Sequence, residues 1–318
     1  MNVVKRVPIL SVIIPAYNAT GHIEKALMSI TVGFDSAADW GLEVIVVDDG
    51  STKGEALALD CLRFPGVRQL RHDHNRGMCA ARNTGISDSR GDFVTLLDAD
   101  DEFIADWFSA FRLIMKEWPE QANVCFTPCI NDAGESTCAR PDYKGWLTAE
   151  DMALENLSGE YNPIFRGAYI RRTGYTDLGT RKSCGLLTYL RMAREAPFWI
   201  TDKVQRIYHD AVELSVTSGW TRPDKAAETY CCFSTVLKEH GVFIRGVSEE
   251  KYRQMYCKAL IYRMLAGQVR GFGEWWGVYS WRTKRYWLVT LALLLIGPIG
   301  SAYLLKAAKR FSVLRKYG

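Results

Sequence analysis

The chain contains 318 residues, of which 48% are hydrophobic and 24% are charged, a composition that excludes the disordered and collagen-like classes. Its net charge of +4 is unevenly distributed. Residues 281–318 carry eight Lys or Arg and no Asp or Glu, which leaves 32 basic against 36 acidic residues in the range 1–280. A slightly acidic body with a basic, apolar end favours a membrane surface, and not nucleic acid, as a partner.

The first apolar run, in MNVVKRVPILSVIIPAYN, predicts a strand and not a secretion signal. The run is short, is interrupted by Pro15 and lacks a cleavage site of small residues. The nine cysteines show no CxxC pair. Without a secretion signal, we expect them to be free thiols in a reducing cytosol.

Apolar strands alternate with helices over the first 130 residues. In chain order, the predicted strands are ILSVII, LEVIVV, VRQL, FVTLL and NVCFT, and one helix begins at MCAARNT. Two more predicted helices each have one apolar face. Those faces are formed by Ile23, Ala26, Leu27 and Ile30, and by Ile104, Phe108, Phe111 and Met115. This alternation predicts an α/β fold with a mostly parallel sheet flanked by helices.

Residues 121–240 are less regular. Three pieces, YIRRTGY, FWIT and VQRIYH, have a strand-like composition, and a short helix is expected near LLTYLRMAREA. These elements do not define a topology. Beyond about residue 249 the composition becomes basic and aromatic.

Polar residues follow three of the predicted strands: Asn18, the pair Asp48 and Asp49, and the pair Asp98 and Asp100. Ligands of parallel sheets bind beyond the carboxyl ends of the strands, so these residues are expected to converge. Asp, Asn and Gly also favour turns, which accounts for any one of these strand ends taken alone. The three together predict a binding site.

The segment FVTLLDADDEF places four carboxylates within five positions after a buried strand. Crowded carboxylates raise one another's pKa unless a cation neutralises them. Asp98 and Asp100 lie on the same side of an extended segment and suit Mn²⁺ or Mg²⁺, which bind a few carboxylates together with substrate phosphates. Such a cation would stabilise a departing nucleoside diphosphate. The run His72-Asp73-His74 is interpreted as a solvated turn and not as a set of ligands.

Three segments, LSVIIPAYNATGHIEKALMSI, EVIVVDDGST and NRGMCAARNTGISDSRGDFVTLLDADD, resemble the successive motifs of family-2 inverting glycosyltransferases. The resemblance covers residue 9 to about residue 115. It implies a GT-A fold, which is a Rossmann-like sheet, and a nucleotide-sugar donor, which we expect to be a UDP-sugar. We also expect three parts of the chain: a nucleotide-sugar-binding half (1–120), an acceptor-binding half (121–245) and, from the composition of the C-terminal residues, a membrane-associating region (246–318).

The resemblance also implies roles for individual residues. Asp49, with Asp48 as its neighbour, would contact the nucleoside base, and the turn formed by Pro15, Tyr17 and Asn18 would lie against the nucleotide. Asp98 would contact the ribose, and Asp100 would be the metal ligand. Arg82 is expected near the diphosphate; the alternative is a surface ion pair with Asp88 or Asp92.

An inverting transfer needs a general base for the acceptor hydroxyl. The family supplies it from a Glu-Asp pair that opens a helix shortly before a Leu-Arg stretch, and here that pair falls on Cys184-Gly185. Asp177 is the nearest carboxylate upstream and is the candidate base; its alternative role is that of a turn residue between Gly174 and Gly179.

Three functions remain open at this point. The first is a metal-dependent glycosyltransferase. The second is a pseudoenzyme or membrane assembly partner that keeps the nucleotide site without the chemistry. The third is a nucleotidyltransferase, which would more often carry a glycine-rich, basic loop after its first strand. Hydrolysis of a UDP-sugar, lost on replacing Asp100, would distinguish the first from the others.

The segment Tyr286–Leu305 has twenty residues without a charge, about the length that crosses a bilayer as one helix. Basic residues flank it on both sides, and aromatic residues precede it. A buried helix of a soluble protein is the alternative, but Gly297-Pro298-Ile299-Gly300 would break such a helix. We expect a shallow re-entrant or interfacial segment, with a single span as the alternative, at the cytoplasmic face of the bacterial inner membrane, and hence a lipid-linked glycan as acceptor.

Overall fold

The computed structural model describes residues 6–34, 39–53, 58, 61, 63–209 and 222–268. The described residues of Met1–Ser183 and Thr188–Val212 form one compact unit, and those of Cys184–Leu187 and Glu213–Gly318 form another. Among the residues described, no helix combines the length and the apolar character needed to cross a membrane. The predicted membrane segment Tyr286–Leu305 lies outside the described residues. The three-part division of the chain stays a prediction.

The described residues contribute ten strands to the sheet of the first unit. They are β1 (Ile9–Ala16), β2 (Gly41–Asp48), β3 (Val67–Arg71), β4 (Phe93–Leu96), β5 (Glu102–Phe103), β6 (Val124–Ile130), β7 (Gly145–Leu147), β8 (Tyr161–Arg166), β9 (Phe198–Ile200) and β10 (Arg206–Ile207). Eight of them follow the order β3-β2-β1-β4-β8-β6-β10-β5, and β9 joins β6 to β7. All five strands predicted in the first 130 residues are confirmed.

Parallel pairing in the first half brings the carboxyl ends of β1, β2 and β4 to one edge of the sheet. The register pairs Ala16 with Asp48, and Ile13 with Leu96. Strand β8 runs antiparallel to both β4 and β6, so its first residues, and not its last, lie at this edge. Strand β10 is parallel to β6, with Arg206 beside Cys129. These pairings determine which side chains can meet at the edge.

The helices are α1 (Ile23–Gly33), α2 (Met78–Asp88), α3 (Trp107–Glu117), α4 (Ala149–Ala153), α5 (Gly167–Thr173), α6 (Gly185–Glu195), α7 (Pro223–Val247) and α8 (Glu249–Leu265). The predicted apolar face of α1 is buried at all four of its positions. Helix α3 begins at Trp107, so Ile104 precedes it, while Phe108 and Phe111 are buried as expected.

One large apolar cluster holds α1 and α3 against the sheet. It includes Leu10, Val12 and Ile14 of β1 together with the helix faces. Trp107, Phe108 and Phe111 are among its largest fully buried side chains. Burial of each such side chain contributes about 1.5–3 kcal/mol. The cluster therefore fixes the strands whose ends form the polar edge.

The segment YIRRTGY is not a strand, as its composition suggested. Its first five residues lie in α5, and the strand is the preceding segment YNPIFR. A side chain at Gly167, where α5 begins, would collide with the carbonyl oxygen of Gly91, at 2.0 Å from an added Cβ. Gly174 ends the helix with a φ of 62°. Close backbone approach and a glycine stop thus outweigh the strand-forming tendency of the Tyr-Ile pair.

The second unit contains a pair of long helices. Helix α7 starts with Pro223 in its first turn, where a missing N–H costs nothing. Ser248 separates α7 from α8 and caps the latter by accepting a hydrogen bond from the N–H of Lys251 at 3.2 Å. Apolar side chains of both helices, among them Ala226, Leu260 and Leu265, pack in one cluster. None of the nine cysteines, all of which lie among the described residues, forms a disulfide, as expected from the sequence.

Candidate active site

The end of β1 is joined to the turn after β2 by Asn18. This residue has a φ of 53°, which is uncommon for any residue but glycine. Its side-chain oxygen accepts hydrogen bonds from the N–H and the hydroxyl of Thr52, both at 3.0 Å. Pro15 lies within β1 opposite Val47, and Tyr17 is 48% exposed at the strand end. Of these residues, Tyr17 presents the largest surface to a ligand.

The carboxylate of Asp49 forms hydrogen bonds within the protein. It accepts hydrogen bonds from the N–H groups of Arg76 at 2.9 Å and Gly77 at 2.8 Å, and Nδ1 of His72 lies 2.7 Å from it. Gly77 has a φ of 97°, and an added Cβ would lie 2.3 Å from the carbonyl oxygen of Thr180. Asp49 therefore builds the turn before α2.

Only one of the two carboxylate oxygens of Asp48 accepts a hydrogen bond. Its Oδ1 accepts from the N–H of Ser51 at 2.8 Å, while its Oδ2 is buried and makes no hydrogen bond. The guanidinium of Arg71 lies 3.6 Å from Oδ2 and is half exposed. Asp48 thus has an acceptor oxygen that a ligand could use if Arg71 moved. Sequence reasoning missed Arg71, although its position at the end of β3 was a signal.

His72 is buried, so its segment is not the fully solvated turn expected from the sequence. Besides the contact with Asp49, its Nε2 lies 2.9 Å from the hydroxyl of Thr84 on α2. Asp73 and His74 are exposed. His72 links two elements of the fold, and the part of the chain that the structure describes groups no three His, Cys, Asp or Glu side chains as metal ligands.

Two guanidinium groups neutralise the acidic strand end after β4. Arg82, on α2, donates a hydrogen bond to Oδ1 of Asp98 at 2.8 Å. Nη1 of Arg206, on β10, lies 3.6 Å from Oδ2 of Asp98 and 3.3 Å from Oδ2 of Asp101. The surface pairing of Arg82 with Asp88 or Asp92 is wrong, because Arg68 pairs with Asp88 and Arg6 with Asp92.

These ion pairs shift the pKa values of the groups involved. Burial raises the pKa of Asp98, but the guanidiniums of Arg82 and Arg206 outweigh burial and lower it. Burial also lowers the pKa of Arg82, and the carboxylate of Asp98 more than offsets this effect and raises it. In Asp101 burial prevails over the attraction of Arg206, and the pKa rises to about 7. Asp98 is therefore ionised, with its charge compensated inside the protein.

Asp100 differs from Asp98 and Asp101 because its carboxylate forms no ion pair with any residue that the structure describes. The side chain is half-buried. Burial, followed by the charge of Asp98, raises its pKa. Of the aspartates in this run, Asp100 has the carboxylate best placed to bind an added cation.

Arg206 and His209 were not identified as site residues from the sequence. The N–H of His209 donates to Oδ1 of Asp101 at 3.1 Å, and its ring contacts Asp132 through Nδ1 and Glu102 through Nε2. Both residues come from VQRIYH, a segment with one strong signal, an arginine inside a short apolar strand. A buried arginine requires anionic partners, which pointed to a carboxylate site.

The structure places Asp177 in an exposed turn, where its carboxylate accepts a hydrogen bond from the N–H of Gly179 at 2.8 Å. It also lines an open groove of about 540 Å³ beside Ala80, Asn83 and Ser87 of α2. Helix α6 begins at Gly185 without an acidic residue in its first turn. The role of Asp177 as a base stays a prediction.

Solved structures with a similar fold include two that contain a nucleotide sugar. Staphylococcus aureus TarS 1–349 in complex with UDP-GlcNAc matches with a TM-score of 0.56 and 17% identity, over 87% of this chain and 78% of that one. The mannosyltransferase PcManGT from Pyrobaculum calidifontis, in complex with GDP-Man and Mn²⁺, matches with a TM-score of 0.53 and 18% identity, over 96% and 87% of the two chains. These matches confirm the GT-A fold.

Sequence comparison leads to the same family. The chain is 26% identical over 267 residues to the GalNAc(5)-diNAcBac-PP-undecaprenol beta-1,3-glucosyltransferase of Campylobacter jejuni, covering 81% of this chain and 82% of that protein. The sequence profile of Glycosyl transferase family 2 matches residues 11–172, which is half of the chain and contains both acidic strand ends. The protein is a glycosyltransferase and belongs to glycosyl transferase family 2.

Proposed function

We propose that the protein transfers a sugar from a UDP-sugar to a lipid-linked glycan, with inversion at the anomeric carbon, in the synthesis of a cell-surface polysaccharide. The observation that carries this proposal is the edge of the sheet where Asp48 ends β2 and Asp98 and Asp100 follow β4, with the end of β1 between them. Such an edge is where α/β sheets bind nucleotides. TarS, which shares the fold, was crystallised with UDP-GlcNAc, and the Campylobacter relative is named for a glycan on PP-undecaprenol.

The nucleotide would lie against the ends of β1 and β2. Oδ2 of Asp48 is a buried acceptor without a hydrogen bond, and it suits the imide N–H of uracil. Tyr17 offers an exposed ring for the base, and Pro15 and Asn18 shape the turn beneath it. Asp49 supports this surface by holding the turn before α2. This assignment shifts the direct contact from Asp49 to Asp48.

The diphosphate would lie near Asp98, Asp100 and Arg82. The donor set fits Mn²⁺ or Mg²⁺, because a single carboxylate oxygen from Asp100, together with phosphate oxygens and water, suffices for such ions. When bound, the ion would stabilise the charge on the leaving diphosphate. Asp98, fixed by two guanidiniums, would orient the ribose and keep Arg82 at the diphosphate. The structure of PcManGT contains Mn²⁺ with GDP-Man.

Membrane attachment rests on the sequence alone. The basic residues Lys306, Lys309 and Arg310 directly follow the uncharged segment Tyr286–Leu305, and such residues favour anionic headgroups on the cytosolic side. A membrane-held enzyme with a cytosolic donor site would meet its lipid-linked acceptor there. Reversing these three charges to Glu should reduce binding of the full-length protein to vesicles that contain anionic lipid, with a neutral vesicle as the control.

The proposed function is tested with the full-length protein in membranes that contain lipid-linked glycans. UDP-glucose, UDP-galactose, UDP-GlcNAc and GDP-mannose are offered separately, after treatment with EDTA and again after addition of Mn²⁺. We expect transfer from one of the UDP-sugars, its loss in EDTA and its absence in Asp100→Ala. Transfer from GDP-mannose alone would overturn the UDP assignment, and full activity in EDTA would overturn the metal.

A further inference from the structure

The helix that should supply the general base contains none in its first turn, because Cys184 and Gly185 stand at the positions of the expected carboxylates. An inverting transfer still requires a group that accepts the proton of the acceptor hydroxyl. That group has to be an accessible carboxylate or imidazole at the same edge of the sheet as Asp98. The inference below rests on the proposed transferase function.

Glu160 lies at that edge because of the topology of the sheet. It immediately precedes β8, which is antiparallel to β4 and to β6, so its position corresponds to the carboxyl end of those strands. Tyr161, the next residue, pairs with Pro128, one position before Cys129, and Cys129 in turn pairs with Arg206 on β10. Glu160 and Arg206 are therefore brought together across β6.

Arg206 connects Glu160 to the site. Its Nη2 lies 3.7 Å from Oε2 of Glu160, and its Nη1 lies 3.6 Å from Oδ2 of Asp98. The side chain of Arg206 is 6% exposed, whereas that of Glu160 is 52% exposed. The buried guanidinium of Arg206 thus lies between the accessible carboxylate of Glu160 and Asp98, the aspartate that would orient the donor.

The backbone of Glu160 is held in place. Its carbonyl oxygen accepts hydrogen bonds from the thiol of Cys138 at 2.8 Å and from the hydroxyl of Thr137 at 3.4 Å. The guanidinium of Arg206 lies beside its carboxylate and helps to hold the side chain at this edge. We propose that Glu160 is the general base of the transfer and that Arg206 is the residue that positions it.

Three other carboxylates among the described residues are less suitable. Asp177 lines the groove on the face of α2 that carries Ala80, Asn83 and Ser87, and at 100° per residue Arg82 projects from the opposite face. Asp101 is 2% exposed. Asp132 contacts the ring of His209 beyond the end of β6. Only Glu160 among these combines an exposed carboxylate with a direct link to Arg206.

In the proposed step, the oxygen of the acceptor hydroxyl forms a bond to the anomeric carbon of the donor. The bond between that carbon and the phosphate oxygen breaks, and its electron pair leaves with the nucleoside diphosphate. The hydroxyl proton moves to the carboxylate of Glu160, which later releases it to water. No oxidant, reductant or further reactant is needed.

The test compares the full-length wild type with Glu160→Gln, Glu160→Asp and Asp177→Asn, using the donor and acceptor found for the wild type. Glu135→Gln, an exposed glutamate in the loop after β6, is the matched control. We expect Glu160→Gln to lower kcat by about 10²–10⁴-fold with unchanged KM for the donor and unchanged Tm, and to remove the acidic limb of the pH profile. Glu160→Asp should recover part of the rate.

Three results would overturn the inference. In the first, Glu160→Gln keeps at least half of the wild-type kcat. In the second, it loses donor affinity or Tm together with kcat, which would indicate a donor-binding or structural role. In the third, Asp177→Asn loses turnover while Glu160→Gln does not. A wild type that transfers sugar from no donor would overturn the proposed function itself and, with it, the assignment of a base.

Discussion

The ends of β2 and β4 each carry neighbouring carboxylates, but the protein neutralises them by different means. After β2, the carboxylate of Asp49 is surrounded by backbone N–H groups and by the ring of His72. After β4, Asp98 and Asp101 lie against the guanidiniums of Arg82 and Arg206. The first arrangement has hydrogen bonds at 2.7–2.9 Å, and the second consists mostly of ion pairs beyond 3 Å.

This difference indicates that the end of β2 has a structural role and that the end of β4 has a chemical one. Neutral N–H donors fix a turn and hold it in a single conformation, and the three groups around Asp49 leave its carboxylate little capacity for a ligand. Guanidiniums at a distance compensate charge while leaving carboxylate oxygens accessible from the site. The end of β2 therefore shapes the nucleotide surface, and the end of β4 is suited to charged substrate and cation. The following predictions test this division.

The largest effect is expected at the end of β4. Asp100→Asn should lower transfer by at least about 10³-fold, because an amide oxygen is a much weaker ligand for Mn²⁺ than a carboxylate. Its Tm in EDTA should remain within a few degrees of the wild type, since the carboxylate forms no ion pair with the described residues. Transfer assays and thermal unfolding on the same preparation measure both quantities. Wild-type turnover at saturating Mn²⁺ would show that Asp100 is not the ligand.

A second prediction concerns stability at the same strand end. Arg206→Met would leave Asp98 and Asp101 with one guanidinium fewer in a buried setting, and breaking a buried ion pair of this kind costs about 3–5 kcal/mol. Urea unfolding in EDTA measures the loss. Arg63→Met, which removes an exposed pair with Glu24, is the control and should change the free energy of unfolding by less than about 1 kcal/mol.

If Arg206→Met and Arg63→Met lost the same amount, the idea that buried guanidiniums neutralise the acidic cluster would be wrong. Arg206→Lys is informative here as well. It retains one positive charge but lacks the planar group that reaches Asp98, Asp101 and Glu160 at once. We therefore expect its stability to fall between that of Arg206→Met and that of the wild type.

Apart from the two-residue strand β5, the order of strands and helices up to about residue 130 was predictable from the sequence, because each of those elements has its own apolar period. The buried face of α1 and the convergence of strand ends follow from that local pattern together with the parallel sheet. The prediction failed at α5, where a clash with the backbone near Gly91 and the stop at Gly174 decide the conformation. Neither influence is visible in the strand-like composition of YIRRTGY.

The partners of the site carboxylates were not predictable for a related reason. The N–H of His209 reaches Asp101 from 108 residues away, and Gly77 reaches Asp49 from 28 residues away. Spacing along the chain reveals which residues follow a strand, but the pairing of β10 with β6 and β5 determines that Arg206 meets them. The positions of the site carboxylates could therefore be predicted from the sequence, whereas the residues that pair with them could not.

Substitutions of the two aspartates at the end of β2 should affect different quantities, namely stability for Asp49 and affinity for UDP for Asp48. The carboxylate of Asp49 accepts three hydrogen bonds, and in Asp49→Asn the amide NH₂ group would face one or more of these N–H donors. This substitution should lower the free energy of unfolding by about 1–3 kcal/mol. Asp48→Asn keeps the oxygen that accepts from Ser51 and should weaken UDP binding by about tenfold, with a smaller effect on unfolding. Calorimetry with UDP and urea unfolding measure the two. The reverse pattern would return the base contact to Asp49.

The smallest effect is a pH dependence that belongs to Asp101. Burial raises the pKa of this carboxyl from its ordinary value of 3.8 to about 7 in the folded protein. Between these values the folded state keeps a proton that the unfolded state has released. The contribution of Asp101 to stability is therefore fully present below about pH 4, falls as the pH rises toward 7 and then remains constant.

Asp101→Asn removes this proton-linked contribution. In EDTA, the free energy of unfolding of the wild type should fall relative to that of Asp101→Asn as the pH rises from 5 to 7, by at most about 1.4 kcal/mol per pH unit. Groups that titrate equally in both proteins cancel in the difference, and Asp98, whose pKa is lowered, would act only below this range. Parallel curves for the two proteins would mean that Arg206 keeps Asp101 ionised. Asp98 and Asp101 would then both be ionised, and guanidinium groups would balance the charge of each.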